Sequence, residues 1–249
     1  CPTNVTYNGS PQTPCTATAT GAGGLNISVT VTYASNTNAG TATADATFAG
    51  DDNHNSSTAT QVSFTIDKAS SSTTINCPTN VTYNGSPQTP CTATATGAGG
   101  LNVSVTVAYG NNTNAGTATA DATFADDANH TGSTATQVTF TIKQRTLTAS
   151  IVGDPTKLYD GNANATLLPA NFSIGNLVSG QTLTVTKATG TYNTKDVTTA
   201  SNVSTTLASG DFSAGAGTNL NNYYLPTSAS GAGHITPKGL AITADNKSF

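Results

Sequence analysis

The stretch LNISVTVTYASNTNAGTATADATF, residues 25–48, decides the fold class, because apolar residues alternate with polar ones in two successive runs. From Leu25 to Tyr33 every second residue is apolar, and Asn, Ser or Thr stands between. From Thr41 to Phe48 the pattern returns, with Ala and Phe against Thr and Asp. Successive side chains of a strand point to opposite faces, so both runs predict strands with one buried face.

The same period continues on both sides of this stretch. Cys15–Thr20 and Val62–Ile66 also alternate, and turns rich in Gly, Pro, Asn and Asp separate the runs. No run shows a helical period over three turns. Short alternating strands joined by frequent turns predict an all-β chain of β-sandwich domains.

The first 66 residues return almost unchanged. Residues 1–66 align with residues 77–142 at an offset of 76, and 57 of the 66 positions are identical. Such copies are typical of a modular array, in which the repeated sequence encodes a unit of length rather than a unique site. The Ser- and Thr-rich residues 69–76 are expected to form the opening strand of the second copy, and the first copy lacks such a segment.

Beyond the second copy the sequence changes but still alternates. The segment Gly239–Ala244 is similar to Arg145–Ser150, which predicts that another domain opens there. We therefore predict four segments: repeat 1 at 1–68, without its first strand; repeat 2 at 69–144; a third β-sandwich at 145–238; and the first strand of a following domain at 239–249.

The composition argues against two classes of partner. Only 8% of the 249 residues are charged, the net charge is −4, and the Lys and Arg residues form no cluster. Nucleic acid is therefore not expected as a partner, since affinity for phosphate depends on such clusters. No apolar run reaches the roughly 18–20 residues that span a bilayer. The chain begins with Cys rather than Met, and we expect it to be a window on a longer protein.

Each repeat carries two cysteines placed symmetrically about an Asn-Gly pair. If Asn8-Gly9 is the tip of a hairpin, Cys1 and Cys15 face each other at a distance suited to a disulfide. The same argument pairs Cys77 with Cys91. A bridge of this size would stabilise a small Ala-rich domain by about 3 kcal/mol. The alternatives are a reduced, buried thiol pair and a zinc site, for which the spacing offers no CxxC partner.

Parts of both repeats resemble the MBG-type repeat of bacterial surface proteins. In repeat 1 the similar stretches are Tyr7–Pro14, Asn38–Ala44, Ala49–His54 and Phe64–Ala69. Repeat 2 matches closely, with Asp126 in place of Gly50.

The third segment resembles a YDG-type repeat. Its similar stretches are Lys157–Gly161, Gly190–Tyr192, Lys195–Val197, Asn222–Leu225 and Ile235–Lys238. Together the two resemblances imply Ig-like β-sandwich modules in an elongated tandem array, as in large secreted or cell-surface bacterial proteins that are often adhesin-like. They imply no catalytic residues, and the paired cysteines are not part of either pattern.

The candidate sites for chemistry are few. The three histidines lie in polar loops, and no nucleophile or acid partner is placed beside them, so neither an enzyme nor a resident cofactor is expected. Asp51 and Asp52, with Asp126 and Asp127 in the second copy, offer oxygen ligands of the kind Ca²⁺ prefers. The alternative is a solvated loop whose Asp and Asn side chains cap their own backbone.

These features predict a structural role. A low charge, small residues and disulfides suit a stalk or fibre segment of a secreted or cell-surface protein, whose partners are neighbouring domains and, in a fibre, like chains. The alternative is an adhesive module that binds a glycan or a surface through its repeated loops, since arrays of weak contacts gain avidity.

Overall fold

The computed structural model describes residues 1–244, and its regular structure is almost entirely β. Within this part of the chain the only helical elements are five 3₁₀ turns of three residues each: Ala22–Gly24, Ala98–Gly100, Pro169–Asn171, Ser209–Asp211 and Leu220–Asn222. The all-β prediction is therefore confirmed, and the arrangement is compatible with β-sandwich domains.

The strands of repeat 1 are β1 Asn4–Thr6, β2 Ala17–Gly21, β3 Leu25–Val29, β4 Val31–Ala34, β5 Gly40–Phe48, β6 Ser57–Thr58 and β7 Val62–Asp67. Those of repeat 2 are β8 Ser71–Asn76, β9 Asn80–Thr82, β10 Thr92–Gly97, β11 Leu101–Val105, β12 Val107–Gly110, β13 Gly116–Phe124, β14 Ser133–Thr134 and β15 Val138–Lys143.

The strands of the third segment are β16 Arg145–Thr146, β17 Thr148–Ile151, β18 Thr156–Leu158, β19 Asn164–Thr166, β20 Phe172–Gly175, β21 Leu183–Val185, β22 Thr189–Tyr192, β23 Asn202–Thr206, β24 Phe212–Ala214, β25 Tyr223–Tyr224, β26 Ser228–Ala232 and β27 His234–Thr236.

The chain forms two compact units, and repeat 2 contributes to both. The first unit comprises Cys1–Thr79, Thr89–Gly110 and Ala118–Phe140. The second comprises Asn80–Gln88, Asn111–Thr117 and Thr141–Phe249.

Repeat 1, which lies wholly in the first unit, has two sheets. One has the strand order β1-β7-β5-β4, with β6 paired to β5, and the other is the antiparallel pair β2-β3. Ala42, Ala44, Phe64 and Ile66 are buried and form its core with Cys15. These are the inward positions that alternation predicts on β5 and β7, because residues two apart share a face.

The predicted single strand from Leu25 to Tyr33 is wrong, because the chain changes sheets at Thr30. β3 pairs with β2, whereas β4 pairs with β5 in the other sheet. Period two is the same in both strands, so the alternation continues across the break and does not reveal it.

The hairpin that was expected to bring the cysteines together is absent. β1 pairs in parallel with β7, and residues 7–16 form no strand. The two disulfides are nevertheless formed: Cα atoms lie 4.1 Å apart in Cys1–Cys15 and 4.3 Å apart in Cys77–Cys91. The bridge therefore ties the start of one sheet to the start of β2, rather than closing a ladder.

Repeat 2 has an additional strand at the position where residues 69–76 were expected to open it. β8 pairs antiparallel with β10 and makes a three-stranded sheet, β11-β10-β8. In repeat 1 the equivalent sheet has two strands within residues 1–244. The other sheet of repeat 2 has the order β12-β13-β15-β9, as in repeat 1.

The third segment lies in the second unit around a larger core. Its main sheet is β19-β22-β23-β26, and Leu167, Val185, Val203 and Ile235 are almost fully buried. A parallel pair of β18 with β27 repeats the β1–β7 and β9–β15 arrangement.

The proposed end of the third segment at Lys238 remains a prediction. Residues 239–244 form no strand, and Leu240 and Ile242 are exposed. Residues 245–249 of the expected following strand lie outside the described part of the chain.

One tyrosine in each repeat supports the segment around the disulfide. The Tyr109 hydroxyl accepts a hydrogen bond from the Cys91 N–H at 2.9 Å and donates to the Cys91 carbonyl at 3.1 Å. Tyr33 makes the same two bonds to Cys15.

We expect Tyr109→Phe to destabilise repeat 2 by about 1 kcal/mol. Denaturant unfolding would measure this, and an unchanged midpoint would mean that water replaces the hydroxyl without cost.

Candidate functional site: two domain joints

The loop Asp127–His130 of repeat 2 is folded around the side chain of Asp127. The Asp127 carboxylate accepts hydrogen bonds from the N–H groups of Asn129 and His130, at 2.8 and 2.6 Å. The His130 ring places Nδ1 3.0 Å from this carboxylate and Nε2 2.9 Å from the Ala98 carbonyl oxygen. Both ring nitrogens therefore face acceptors, which favours the imidazolium form.

This loop contacts the end of repeat 1, within the first unit. We call the contact joint 1. The Asn129 Oδ1 accepts a hydrogen bond from the Ala39 N–H at 2.9 Å, and its Nδ2 lies 3.3 Å from the Asn38 Oδ1. The His130 ring packs edge-on against Tyr7, with centroids 5.3 Å apart. A single Asn side chain thus satisfies one backbone donor and one amide acceptor of the preceding repeat.

The backbone between the repeats is also fixed in joint 1. The Ala69 N–H donates to the Asn129 carbonyl and the Ala69 carbonyl accepts from the Thr131 N–H, both at 2.9 Å. Only Lys68 lies between the last residue of β7 and Ala69. A linker of this length leaves the chain little freedom to separate the two repeats.

Glycine is required where the two turns of joint 1 meet. A Cβ on Gly9 would lie 2.3 Å from the Gly99 Cα, and Gly9 has φ +84°. A Cβ on Gly99 would lie 2.5 Å from the Tyr7 hydroxyl oxygen. A Cβ on Gly9 would collide with the backbone of Gly99, and a Cβ on Gly99 would collide with the Tyr7 ring; both glycines also have positive φ, +84° and +63°.

The second unit contains a contact of the same kind, which we call joint 2. The Asn222 Oδ1 accepts a hydrogen bond from the Ala115 N–H at 2.8 Å, and its Nδ2 donates to the Asn114 Oδ1 at 3.0 Å. The Tyr223 ring packs edge-on against Tyr83, with centroids 5.5 Å apart. Asn114, Ala115 and Tyr83 occupy the positions in repeat 2 that Asn38, Ala39 and Tyr7 occupy in repeat 1.

Joint 2 also contains a link through the side chain of Gln181. The Gln181 side chain donates to the Tyr83 hydroxyl at 2.8 Å and accepts from the Tyr223 hydroxyl at 2.6 Å. Burial raises the pKa of Tyr223, so the hydroxyl stays protonated and able to donate. Arg145 pairs in parallel with Tyr223 in the backbone, as Ala69 does with His130.

The two joints therefore use one chemistry on different scaffolds. In each, an Asn and the aromatic residue that follows it contact the same three groups: a backbone N–H, an Asn side chain and a Tyr ring. The equivalent distances agree within a few tenths of an ångström. The Asn and the ring that follows it are the candidate functional residues of this site.

The aspartates proposed as calcium ligands are placed as follows. Asp127 binds His130, Asp51 binds His54 at 2.7 Å, and Asp126 lies 3.5 Å from the Lys68 ammonium. Asp52 is exposed. No group of three or more His, Cys, Asp or Glu residues within residues 1–244 is arranged to hold a metal ion. Asp51 and Asp127 accept hydrogen bonds from backbone N–H groups of their own loops.

The outer face of the main sheet of the third segment carries an open groove of about 750 Å³. Its lining consists mostly of Thr and Ser side chains with Lys187, and it contains no aromatic residue. It is the polar face of a sheet rather than a shaped ligand site.

The sequence contained a signal for joint 1 that alternation did not detect. Four of the nine differences between the repeats fall at positions 50, 52, 55 and 56. Asp51, Asn53 and His54 lie among these positions and are unchanged in the second copy. Asp51 and His54 are needed for the fold of the loop itself, because they contact each other, so only the identity of Asn53 points to a contact outside the loop.

Fold and joints together define an all-β protein whose segments contact one another through docked loops. Residues 142–231 match the YDG domain family, which covers most of the third segment. No curated protein matches the chain. No helix within residues 1–244 has the length and apolar character needed to cross a membrane.

The protonation of His130 predicts how the Asp127–His130 loop responds to pH. Burial disfavours the charged ring, but the Ala98 carbonyl and the Asp127 carboxylate outweigh this and raise the pKa of His130 above its usual 6.5. A raised folded pKa stabilises the folded loop below about pH 6.5, and this stabilisation is lost as the pH rises through the folded value. The Asp127 pKa is lowered, so its contribution is lost only as the pH falls below about 4.

We therefore expect the Asp127–His130 loop to be more stable at about pH 6 than at about pH 8. Amide exchange at Asn129, whose N–H donates to Asp127, measures this after correction for its intrinsic pH dependence. The variant His130→Gln should remove the difference. An unchanged pH dependence in that variant would show that another group titrates.

Proposed function

We propose that this chain is a structural segment of a secreted or cell-surface bacterial protein, in which Ig-like domains form a tandem, stalk-like array. The domains would carry load and maintain spacing, and their loops would hold successive domains in fixed relation. The observation that carries the proposal is the equivalence of the two joints, in which Asn129 and Asn222 make the same contacts.

The joints have the properties that a stiff connection requires. Each combines two side-chain hydrogen bonds, a backbone pairing and an edge-on ring contact, and each of these fixes a different direction. Asn222 is 1% exposed, so its hydrogen bonds are shielded from competing water. A connection made of several short contacts resists bending more than a linker alone would.

The adhesive alternative receives less support. The loop of repeat 2 that an adhesive module would present, Asp126–His130, is occupied by contacts with repeat 1. The open groove on the third segment has no aromatic wall. In repeat 2 this loop is therefore not free to bind a glycan.

The disulfides bear on location. Disulfides persist in oxidising compartments, so two of them favour a site outside the cytoplasm. A stalk outside the cytoplasm would be secreted or displayed on a cell surface.

Residual dipolar couplings test the proposal on the intact chain. Couplings from repeat 1 and from repeat 2 are fitted separately to alignment tensors. We expect the two tensors to agree in magnitude and orientation, and to diverge in Asn129→Ala. Tensors that already differ in the unmodified chain would contradict a stiff connection. Specific binding to a glycan array with the joints intact would contradict a purely structural role.

A further inference from the structure

We propose that the Asp51–His54 loop of repeat 1 is a docking surface for another domain of the same kind. The partner would present a Tyr-Asn-Gly turn and an Asn-Thr-Asn-Ala turn, as repeat 1 presents them to repeat 2. The inference rests on the proposed function, because it extends the chemistry of joint 1 to a third position.

The loop already has the conformation of the docked copy. The His54 Nδ1 lies 2.7 Å from Asp51, and its Nε2 lies 3.1 Å from the Ala22 carbonyl oxygen. The Asn53 N–H donates to Asp51 at 2.9 Å. The equivalent bonds of Asp127, Asn129 and His130 have lengths of 2.8 to 3.0 Å. The loop backbone and the His54 ring are thus already held as in the docked copy, which lowers the entropic cost of binding.

The contact groups of this loop are more exposed than in the docked copy. The His54 side chain is 24% exposed, against 6% for His130. Asn53 is exposed, whereas Asn129 is partly buried. A Cβ on Gly23 would have no neighbour within 4 Å, whereas one on the equivalent Gly99 would meet Tyr7. The groups that engage repeat 1 in joint 1 are present here without such a partner among residues 1–244.

A second feature lies beside the loop. In repeat 2, β8 leads directly from Ala69 onto the edge of β10. The equivalent strand β2 pairs only with β3 within residues 1–244. The partner domain is therefore expected to continue as an extended segment along β2, because an unpaired strand edge readily accepts another strand.

The chemistry of the surface selects its partner. Asn53 offers one acceptor and two donors, which match a backbone N–H and an amide oxygen. His54 offers the edge of a ring, which matches a tyrosine. Within residues 1–244 the two Tyr-Asn-Gly turns, at Tyr7 and Tyr83, are engaged in joints 1 and 2. The partner that we infer is therefore an additional domain with such a turn.

The test uses a chain in which a second copy of residues 1–76 precedes Cys1. This copy supplies the Tyr and Asn turns and ends in the segment equivalent to β8. We expect amide exchange of β2 to slow by about tenfold or more, because the strand gains a partner. We also expect the His54 ring resonances to shift towards those of His130.

Two substitutions in the extended chain sharpen the test. Asn53→Ala should reverse the His54 shift, whereas Asp52→Ala should leave it, since repeat 2 has Ala128 at that position. The proposal is overturned if β2 and His54 in the extended chain behave as in the original. The dipolar couplings of joint 1 in the original chain are independent of this result, so the proposed function can stand when the docking surface fails.

Discussion

Replacing both Cys77 and Cys91 with Ala is expected to lower the free energy of unfolding of repeat 2 by about 3 kcal/mol. The bond closes a loop with a sequence separation of 14, and its loss lets the unfolded chain expand. The native state also loses a buried group, because Cys91 is 9% exposed. Few other contacts can compensate.

The core of repeat 2 explains why the effect should be large. Five of its buried residues are alanines on β10 and β13: Ala93, Ala95, Ala118, Ala120 and Ala122. Alanine buries little apolar surface, so each contributes less than a larger side chain would. A domain with such a core depends more strongly on a covalent link.

Urea unfolding, monitored by amide exchange in β10, measures the loss of stability within repeat 2. The matched variant replaces Cys1 and Cys15 and should affect β5 and β7 of repeat 1 instead. A loss below about 1 kcal/mol in repeat 2 would mean that the unfolded chain stays compact without the bond.

The second large effect concerns joint 2. We expect Asn222→Ala to weaken the coupling of the third segment to the end of repeat 2 by about 2 kcal/mol. The substitution removes two hydrogen bonds and leaves the Ala115 N–H without its acceptor. The site is almost fully buried, so water replaces the lost acceptor only if the joint opens.

Tyrosine fluorescence during urea unfolding can follow this change, because the chain has no Trp and Tyr83 and Tyr223 lie in the joint. The control is Asn221→Ala at the exposed neighbouring position. If both variants unfold at the same urea concentration as the original chain, the Asn222 contacts contribute nothing to coupling.

The sequence predicted those parts of the fold that depend on local periodicity. β5 and β7 follow from alternation, because their inward residues Ala42, Ala44, Phe64 and Ile66 are buried as a set. The disulfides were also predicted, although through a hairpin that does not exist. The predicted pairing is confirmed, because a disulfide requires only that the two Cα atoms are close.

The errors arose where pairing is not local. β1 pairs with β7, about sixty residues further along the chain, and a three-residue strand carries no sign of its partner. The change of sheets at Thr30 leaves the period intact. The joints were missed for the same reason: Asn129 and Asn222 lie in polar loop sequences, and their contacts are with segments distant in the chain.

The most direct test of the fixed joints is amide hydrogen exchange at Ala39 and Ala115 in the intact chain. Each N–H donates to an Asn of the following segment, at 2.9 and 2.8 Å. We predict that both are protected, that Asn129→Ala exposes only Ala39, and that Asn222→Ala exposes only Ala115. Exchange at the rate of an unstructured peptide at either residue in the unmodified chain would contradict the account.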